Sequence, residues 1–383
     1  GDSMYNIHNV KNISLSLQLK NLCNDTPWYI KGFASSLDSY APSTRYSYVL
    51  TITTFLDFVH SSVPAYESFD RKHMPVSVFR SIPLELFDSY LQSLHVRNTE
   101  TKEVSSLYLN RIIAAFKAFY QYLETQRISY TCTVSETKRR PVVRIPRHPI
   151  SEKDILRLID GVKRNDTYLL QDGSSCSCEL IPIPDEALLR RERTISRNVS
   201  ILSLLSYDSL SVIEIVGLDI DSINWADHTL SVMTPSGDVV QKPCSDTTLD
   251  ALRTYLHAPD VPADLFNGFS SVQKEEILDF CKKIMTNVKA ADLAQKKFQR
   301  EDPSFADAIL TCCHYLRNSG RRSFAPHPYD RALFLSTRSK RISVRMIEHM
   351  VKVMLKTYLP ELCASMPISV KDLSLRHLTQ DPR

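Results

Sequence analysis

Apolar side chains recur at helical spacing through the first third of the chain, in three separate stripes. The first follows the helix-start signal Ala41-Pro42-Ser43-Thr44, the second opens at Ile82-Pro83, and the third covers about residues 105–125. The stripes consist of Tyr48, Ile52, Phe55, Leu56 and Val59; Leu86, Phe87, Tyr90, Leu91 and Leu94; and Leu109, Ile112, Ile113, Phe116, Phe119, Tyr120 and Leu123. Three such faces can bury one small core. We therefore predict an N-terminal extension over residues 1–25 and a helical domain over residues 26–135.

The pattern changes sharply over residues 136–150. Residues 138–149 contain five lysines and arginines, three prolines and no acidic residue. Proline opposes helix and favours an extended backbone, and cationic side chains along an extended segment can follow a phosphate backbone. We interpret this segment as a basic linker between two domains.

A second domain, over residues 151–383, mixes helices with short strands. Ser151-Glu152-Lys153-Asp154 has the composition of a helix start, and we expect a loop over residues 165–184 and helices over residues 185–207 and 211–217. Further predicted elements are strands at residues 220–224, 229–233, 239–243 and 333–335; a turn at residues 235–238; and helices at residues 246–258 and 344–358, with a helix start at residues 369–377. A charge-rich helical insert covers about residues 271–325. The fold class predicted is mainly α with a small antiparallel β-sheet.

Composition argues against a membrane-spanning or zinc-binding protein but indicates no particular function. The hydrophobic fraction of 43% and charged fraction of 23% are ordinary for a globular protein, and the net charge is only +4. Nine cysteines are scattered, and the pair Cys176 and Cys178 has no second pair at zinc spacing. No run approaches the roughly 18 apolar residues of a membrane span. We expect a cytoplasmic protein with reduced thiols, no metal, no cofactor and no membrane contact.

Several segments, taken in order, resemble the tyrosine recombinases (the phage integrase family). Ala41-Pro42-Ser43-Thr44-Arg45 is similar to the start of that family's core-binding domain, and Tyr207-Asp208-Ser209-Leu210-Ser211 to the segment that carries its first catalytic arginine. The other matching segments are residues 110–123, 212–221, 229–232, 333–336, 341–343 and 375–377. The resemblance covers about residues 26–270 and 329–378. It implies a helical SAM-like core-binding domain, then an α+β catalytic domain with a truncated or missing C-terminus.

In that family a tyrosine attacks a DNA phosphodiester while two arginines clamp the transition-state oxygens, and a lysine on a β-turn and histidines move protons. Here the first arginine position holds Ser211, the turn lysine position holds Pro235 (or Ser236), and the first histidine position holds Leu373. Arg376 matches the second arginine, with His377 after it, and no tyrosine follows. Lys242 could replace the turn lysine. Because losing one member of such a site removes most of the rate, we expect this chain not to cleave DNA.

The resemblance also implies DNA contacts, mostly to phosphates. In the first domain and the linker these are Arg45, Arg111, Lys117, Lys138, Arg139, Arg140, Arg144 and Arg147. In the second domain they are Arg338, Lys340, Arg341, Arg345 and Arg376.

The leading hypothesis is therefore an inactive recombinase relative that binds duplex DNA in recombination or integration of a mobile element. It would be a monomer in solution, a possible oligomer on DNA, and a partner of other recombinase subunits. Two alternatives stay open: an active strand-breaking recombinase with displaced or C-terminally missing catalytic residues, and a helical protein-interaction scaffold. The insert at 271–325 could serve as the partner surface.

Overall fold

The computed structural model describes residues 4–95, 106–132, 134, 150–165, 167–169, 172, 175–177, 194–257, 261, 263–286, 304–305, 307–309, 311–312, 321 and 331–375. The chain divides into two compact units. The helical unit comprises His8–Pro146, and the mixed unit comprises Gly1–Ile7 together with Arg147–Arg383. The described part is mainly helical with a small antiparallel sheet, which confirms the predicted fold class.

The helical unit is built from helices with one short strand pair. Its helices are α1 (Ile7–Asn24, of which Ile7 belongs to the mixed unit), α2 (Trp28–Ser36), α3 (Pro42–Ser62), α4 (Ser77–Arg80), α5 (Leu84–His95) and α6 (Ser106–Thr125). Strands β1 (Ser81–Ile82) and β2 (Thr131–Cys132) pair in parallel. Helices α3, α5 and α6 confirm the three stripes read from the sequence. The predicted N-terminal extension, residues 1–25, contains the whole of α1.

Aromatic side chains fill the core of the helical unit. Phe79 and Phe119 are fully buried, with ring centroids 4.7 Å apart in an edge-to-face arrangement. Such pairs add roughly 0.5–1.5 kcal/mol beyond the burial of apolar area. The buried hydroxyl of Tyr120 donates to the Phe79 carbonyl at 2.9 Å, and that of Tyr29 to the Met74 carbonyl at 3.1 Å. Both polar atoms therefore avoid the cost of burial without a partner.

The mixed unit places helices around one buried helix and a three-stranded sheet. Its helices are α7 (Glu152–Arg164), α8 (Ile195–Ser206), α9 (Val212–Gly217), α10 (Asp246–Leu256), α11 (Ser271–Thr286), α12 (Val344–Tyr358) and α13 (Pro360–Ser365). Its strands are β3 (Thr167–Leu169), β4 (Ser175–Ser177), β5 (Ile223–Asn224), β6 (Thr229–Met233) and β7 (Val239–Pro243). Strands β5, β6 and β7 form an antiparallel sheet in that order.

Helix α8 is buried on nearly every face although its sequence is rich in serine. The Ser200 hydroxyl donates to the Ser196 carbonyl at 2.8 Å, and the Ser203 hydroxyl to the Val199 carbonyl at 2.9 Å. Serines that bond back to their own helix can be buried without an unpaired donor. This explains how Ser200 and Ser203 are accommodated in a buried helix.

Helix α7 begins as the sequence indicates, because the Ser151 hydroxyl accepts a hydrogen bond from the Asp154 amide at 3.1 Å. The helix predicted over residues 344–358 is confirmed at both ends by α12. In the insert, α11 forms part of a satellite core that includes Ile277, Cys281 and Phe305.

Three predictions for the mixed unit are wrong. Of the strand expected at 220–224, residues 220–222 form a 3-10 helix and only β5 is extended. Residues 165–184 were expected to form a loop, but β3 and β4 pair antiparallel within them. The strand expected at 333–335 is replaced by two isolated bridges, Asp219 with Ala332 and Leu335 with Arg341. Asp219 and Arg341, the residues that bridge to this segment, lie in different parts of the chain, so no continuous ladder forms. Of the helix predicted over 185–207, residues 185–193 lie outside the described part.

No helix in the described part of the chain is long and apolar enough to cross a membrane.

Gly161 on α7 packs directly against Tyr358, the last residue of α12. A Cβ atom at this position would lie 2.3 Å from Cδ1 of Tyr358, well inside contact distance. We predict that Gly161→Ala lowers the free energy of unfolding by about 1–3 kcal/mol, because overpacking outweighs alanine's helix propensity. Urea denaturation of the variant measures this. Adding Tyr358→Leu should recover part of the loss, and full stability of Gly161→Ala alone would contradict the prediction.

Candidate functional site

Ser211, the first of the positions singled out by the resemblance, caps helix α9. Its backbone N–H and its hydroxyl both donate to Oε2 of Glu214, at 2.8 and 2.9 Å. This is one half of a capping box, in which the third helical residue returns to the cap. The Ser211 hydroxyl is therefore committed to the local helix end.

Lys242 completes this cluster from strand β7. Its ammonium lies 2.6 Å from Oε1 of Glu214, and both side chains are largely buried. Burial by itself would raise the pKa of the Glu214 carboxyl, but hydrogen bonds from Lys242 and Ser211, with the charge of Lys242, outweigh burial and hold the pKa below its ordinary value of 4.5. The cluster Ser211–Glu214–Lys242 thus joins two charges that cancel.

Pro235 lies in the exposed turn between β6 and β7. The turn is closed by the Thr234 amide, which donates to the Asp238 carbonyl at 2.8 Å, and by the Ser236 hydroxyl, which donates to the Asp238 carboxylate at 2.7 Å. Lys242 is at the other end of the same hairpin, paired in register with Leu230. The lysine beside Ser211 is therefore the one on the strand, and the turn itself carries no cation.

Leu373 is fully buried in the core of the mixed unit, in a short 3-10 helix. The next residue, Ser374, donates a hydroxyl hydrogen bond to the Ser209 hydroxyl, two residues before Ser211. The fold therefore brings the segments of Ser211 and Leu373 together. An apolar side chain here has no group that could bind a phosphate or move a proton.

Arg341 is held inside the mixed unit. Its guanidinium donates to the carbonyls of Val216 and Leu218, both at 2.9 Å, and pairs with the carboxylate of Asp219. It also lies over the Tyr5 ring, 3.8 Å from the centroid, while the Tyr5 amide donates to Asp219. The side chain of Arg341 is 19% exposed and that of Asp219 4%. The observed contacts of Arg341 are thus structural.

Next to Arg341, residues 336–341 form a tight loop that we call the basic turn. The Ser336 amide donates to the Lys340 carbonyl at 2.7 Å, and the Ser336 hydroxyl accepts from the amides of Arg338 and Lys340 at 3.3 Å. The side chains of Arg338 and Lys340 are exposed. Neither has an ion-pair partner among the described residues.

Arg345 extends this charge into the first turn of α12, where it is also exposed. That turn holds no acidic residue, and the sequence from 331 to 347 contains none. Together Arg338, Lys340 and Arg345 form the basic group of the mixed unit.

The cations predicted in the helical unit differ in their surroundings. Arg45, on α3, donates from Nε to the Ala34 carbonyl at 2.8 Å and pairs with Asp38 at 2.7 Å. Arg111 is exposed on α6, and Lys117 is half-buried on the same helix. The remaining predicted positions lie outside the described residues: Lys138, Arg139, Arg140, Arg144, Arg147, Arg376 and His377.

Sequence reasoning missed Glu214, Asp219 and Tyr5. Glu214 had a signal, because Ser-x-x-Glu at the start of a helix is a capping box. Asp219 and Tyr5 had no such signal, since both are distant from Arg341 in sequence and meet it only in the folded chain. Among the described residues, no group of three or more His, Cys, Asp or Glu could hold a metal ion.

Removing the Arg341 charge should destabilise the mixed unit. We predict that Arg341→Gln lowers the free energy of unfolding by about 3 kcal/mol, because Asp219 is left buried without its cation. Lys340→Gln, one residue away and exposed, is the matched control and should change it by less than about 0.5 kcal/mol. Equal effects of the two variants in urea denaturation would contradict the structural role of Arg341.

The Glu214 cluster should make stability depend on pH. Since its folded-state pKa is lowered, the cluster stabilises the protein fully above the unfolded-state pKa, and this contribution disappears as pH falls through the folded-state value. We predict that the wild type exceeds Glu214→Gln in stability by about 1–2 kcal/mol at pH 7, with the difference shrinking below pH 4.5. Thermal or urea unfolding across pH measures the difference, and a constant gap down to pH 3 would refute it.

Comparisons with known proteins are sparse. No protein-family model matches the sequence, and no curated protein does. Among solved structures, the crystal structure of XerA recombinase is similar to this chain, with 15% sequence identity and a TM-score of 0.29, over 90% of this chain and 80% of that chain. A similarity of this degree assigns no family to the chain.

Proposed function

We propose that this protein binds duplex DNA through exposed cationic side chains and does not cleave it. The observation that carries the proposal is the basic group Arg338, Lys340 and Arg345. These side chains are exposed in a stretch without acidic residues and have no ion-pair partner among the described residues. Like charges grouped without compensation attract a polyanion, and each phosphate neutralised releases a counterion.

The backbone around the basic group favours this role. The basic turn is closed by the hydrogen bonds of Ser336 and anchored by Arg341, so Arg338 and Lys340 project from a defined loop. A loop already ordered loses less conformational entropy on binding than a flexible one. Contacts from such side chains to phosphates position a protein on DNA without reading its sequence.

The helical unit and the linker would add further phosphate contacts. Arg111 and Lys117 lie on α6 and are at least partly accessible. The five linker cations remain a prediction from sequence. Arg45 is left out because Asp38 and the Ala34 carbonyl already engage it.

The absence of cleavage is inferred from the residues at the expected catalytic positions. Cleavage by a tyrosine needs a forked cationic clamp on the transferring phosphate. The Ser211 hydroxyl is committed to Glu214, Pro235 has no ionisable group, and Leu373 is buried and apolar. Lys242 is neutralised by Glu214 at 2.6 Å. These residues support binding without strand breakage.

In this proposal the protein acts in DNA recombination or in integration of a mobile element, as an inactive partner of other recombinase subunits. It is a cytoplasmic, DNA-associated monomer that assembles further only on DNA.

The first test is the affinity for a random-sequence duplex of about 30 base pairs across a salt series. We predict that Arg338→Gln/Lys340→Gln/Arg345→Gln reduces the slope of log K against log salt by about 0.9 for each phosphate contact removed. The matched control, Lys352→Gln/Lys356→Gln/Lys371→Gln, removes the same charge from exposed positions of the same unit. Its slope should stay close to that of the wild type.

Three outcomes would count against the proposal. Equal slopes in the two triple variants would remove the basic group from the interface. A covalent protein–DNA adduct on a denaturing gel would overturn the absence of cleavage. Affinity that does not depend on salt, or no affinity at low salt, would favour the protein-interaction scaffold.

A further inference from the structure

A cleft in the helical unit gathers positive charge that the DNA proposal does not use. It has a volume of about 480 Å³ and lies between α1, α2 and the start of α3. This volume is within the roughly 300–1,000 Å³ typical of small-molecule sites. Its lining comes from three different helices, so it is a feature of the tertiary structure.

Each helix contributes one cation to the lining. They are Lys20 from α1, Lys31 from α2 and Arg45 from α3. Within the described residues, neither Lys20 nor Lys31 has a hydrogen-bond or ion-pair partner for its ammonium group. The acidic residue of the lining, Asp38, is already paired with Arg45 at 2.7 Å. The two lysines therefore leave the cleft with uncompensated positive charge.

The Cys23 thiol lines the same cleft and lies within the influence of two of these cations. Burial raises the pKa of Cys23, while the charges of Arg45 and Lys31 both act on it in the opposite direction. Helix α3 adds to the same field, because its cap residue Ala41 has no capping side chain and its first turn has no acidic residue. The N-terminal end of a helix is the positive end of the helix dipole, which favours an anion.

Tyr40 supplies a different kind of surface at the same cleft. It lines the cleft, is 43% exposed, and is braced from one side by Tyr48, with ring centroids 5.9 Å apart. The planar ring of any nucleobase can stack on an exposed aromatic side chain. An exposed ring beside cations therefore suits a ligand that carries both a planar ring and a negative group.

We propose that this cleft binds the phosphate of a nucleotide at Lys20 and Lys31, with the base against Tyr40. The same chemistry is offered by a free mononucleotide and by the 5′-phosphorylated terminal nucleotide of a DNA strand. The site lies within the helical unit and is independent of the basic group of the mixed unit.

The test measures by calorimetry the affinity of the full chain for three probes: AMP, inorganic phosphate and adenosine. We expect AMP to bind more tightly than adenosine. Lys31→Gln should weaken AMP and phosphate about tenfold, since a charge-assisted hydrogen bond contributes on that order. Tyr40→Leu should weaken AMP and leave phosphate unchanged. Lys11→Gln is the matched control, an exposed lysine on α1 away from the cleft, and should change neither.

Alkylation of Cys23 by iodoacetamide, followed by peptide mass spectrometry, locates the binding. AMP should slow modification of Cys23 and leave Cys363, a partly exposed thiol of the mixed unit, unaffected. Competition then separates the two sources. If a duplex with 5′-phosphates displaces AMP and the same duplex with 5′-hydroxyls does not, the ligand is a DNA end. If neither duplex displaces AMP, the ligand is a free nucleotide.

Equal affinity for AMP and adenosine would overturn the proposal, because phosphate would then not be recognised. So would equal losses in Lys31→Gln and Lys11→Gln, or no binding together with unchanged Cys23 alkylation at millimolar AMP. Each of these results leaves the salt-dependent duplex affinity of the mixed unit untouched, so the two proposals fail separately.

Discussion

The buried pairing of Arg341 with Asp219 is the contact on which the architecture of the mixed unit depends most. One guanidinium satisfies the last carbonyls of α9, pairs with a carboxylate that is 4% exposed, and stacks on the ring of Tyr5. Leaving either charge without its partner in such a place costs several kcal/mol. The same arginine closes the bridge to Leu335 and so fixes the base of the basic turn. A structural ion pair therefore lies at the base of the loop that carries the exposed Arg338 and Lys340.

A second charge pair, Lys242 with Glu214, joins strand β7 to the start of α9. At the start of α9, the Ser211 hydroxyl donates to Glu214, and the cation nearby, Lys242, is neutralised by the same carboxylate. A neutralised lysine in a partly buried hydrogen-bonded cluster gives little attraction to phosphate compared with exposed Arg338 or Lys340. Among the described residues, positive charge available to a polyanion thus lies on exposed side chains such as Arg338 and Lys340, while Ser211, Glu214 and Lys242 form a helix cap and a strand-to-helix link.

Much of the fold was predictable because its signals are local. The stripes of α3 and α6, the Ser151 cap of α7 and the bounds of α12 all follow from spacing and cap residues within a few positions. The β3–β4 hairpin was missed, since three-residue strands carry too few side chains to show a period of two. The positions of the site were predicted by resemblance, yet its contacts were not. Glu214 was visible three residues after Ser211, whereas Lys242 is 28 positions from its partner.

The sequence by itself determined the local elements, the basic segments and the residues that occupy the expected catalytic positions. Only the tertiary structure decided which cations are free. Lys340 and Arg341 are adjacent and both basic, so no sequence pattern distinguishes an exposed side chain from one held by three protein acceptors. The distinction arises because the chain folds back to place Asp219, 122 positions earlier, beside Arg341 and away from Lys340. Lys20, Lys31 and Arg45 likewise form one cleft only after three helices pack, because side-chain charges combine through space and not along the chain.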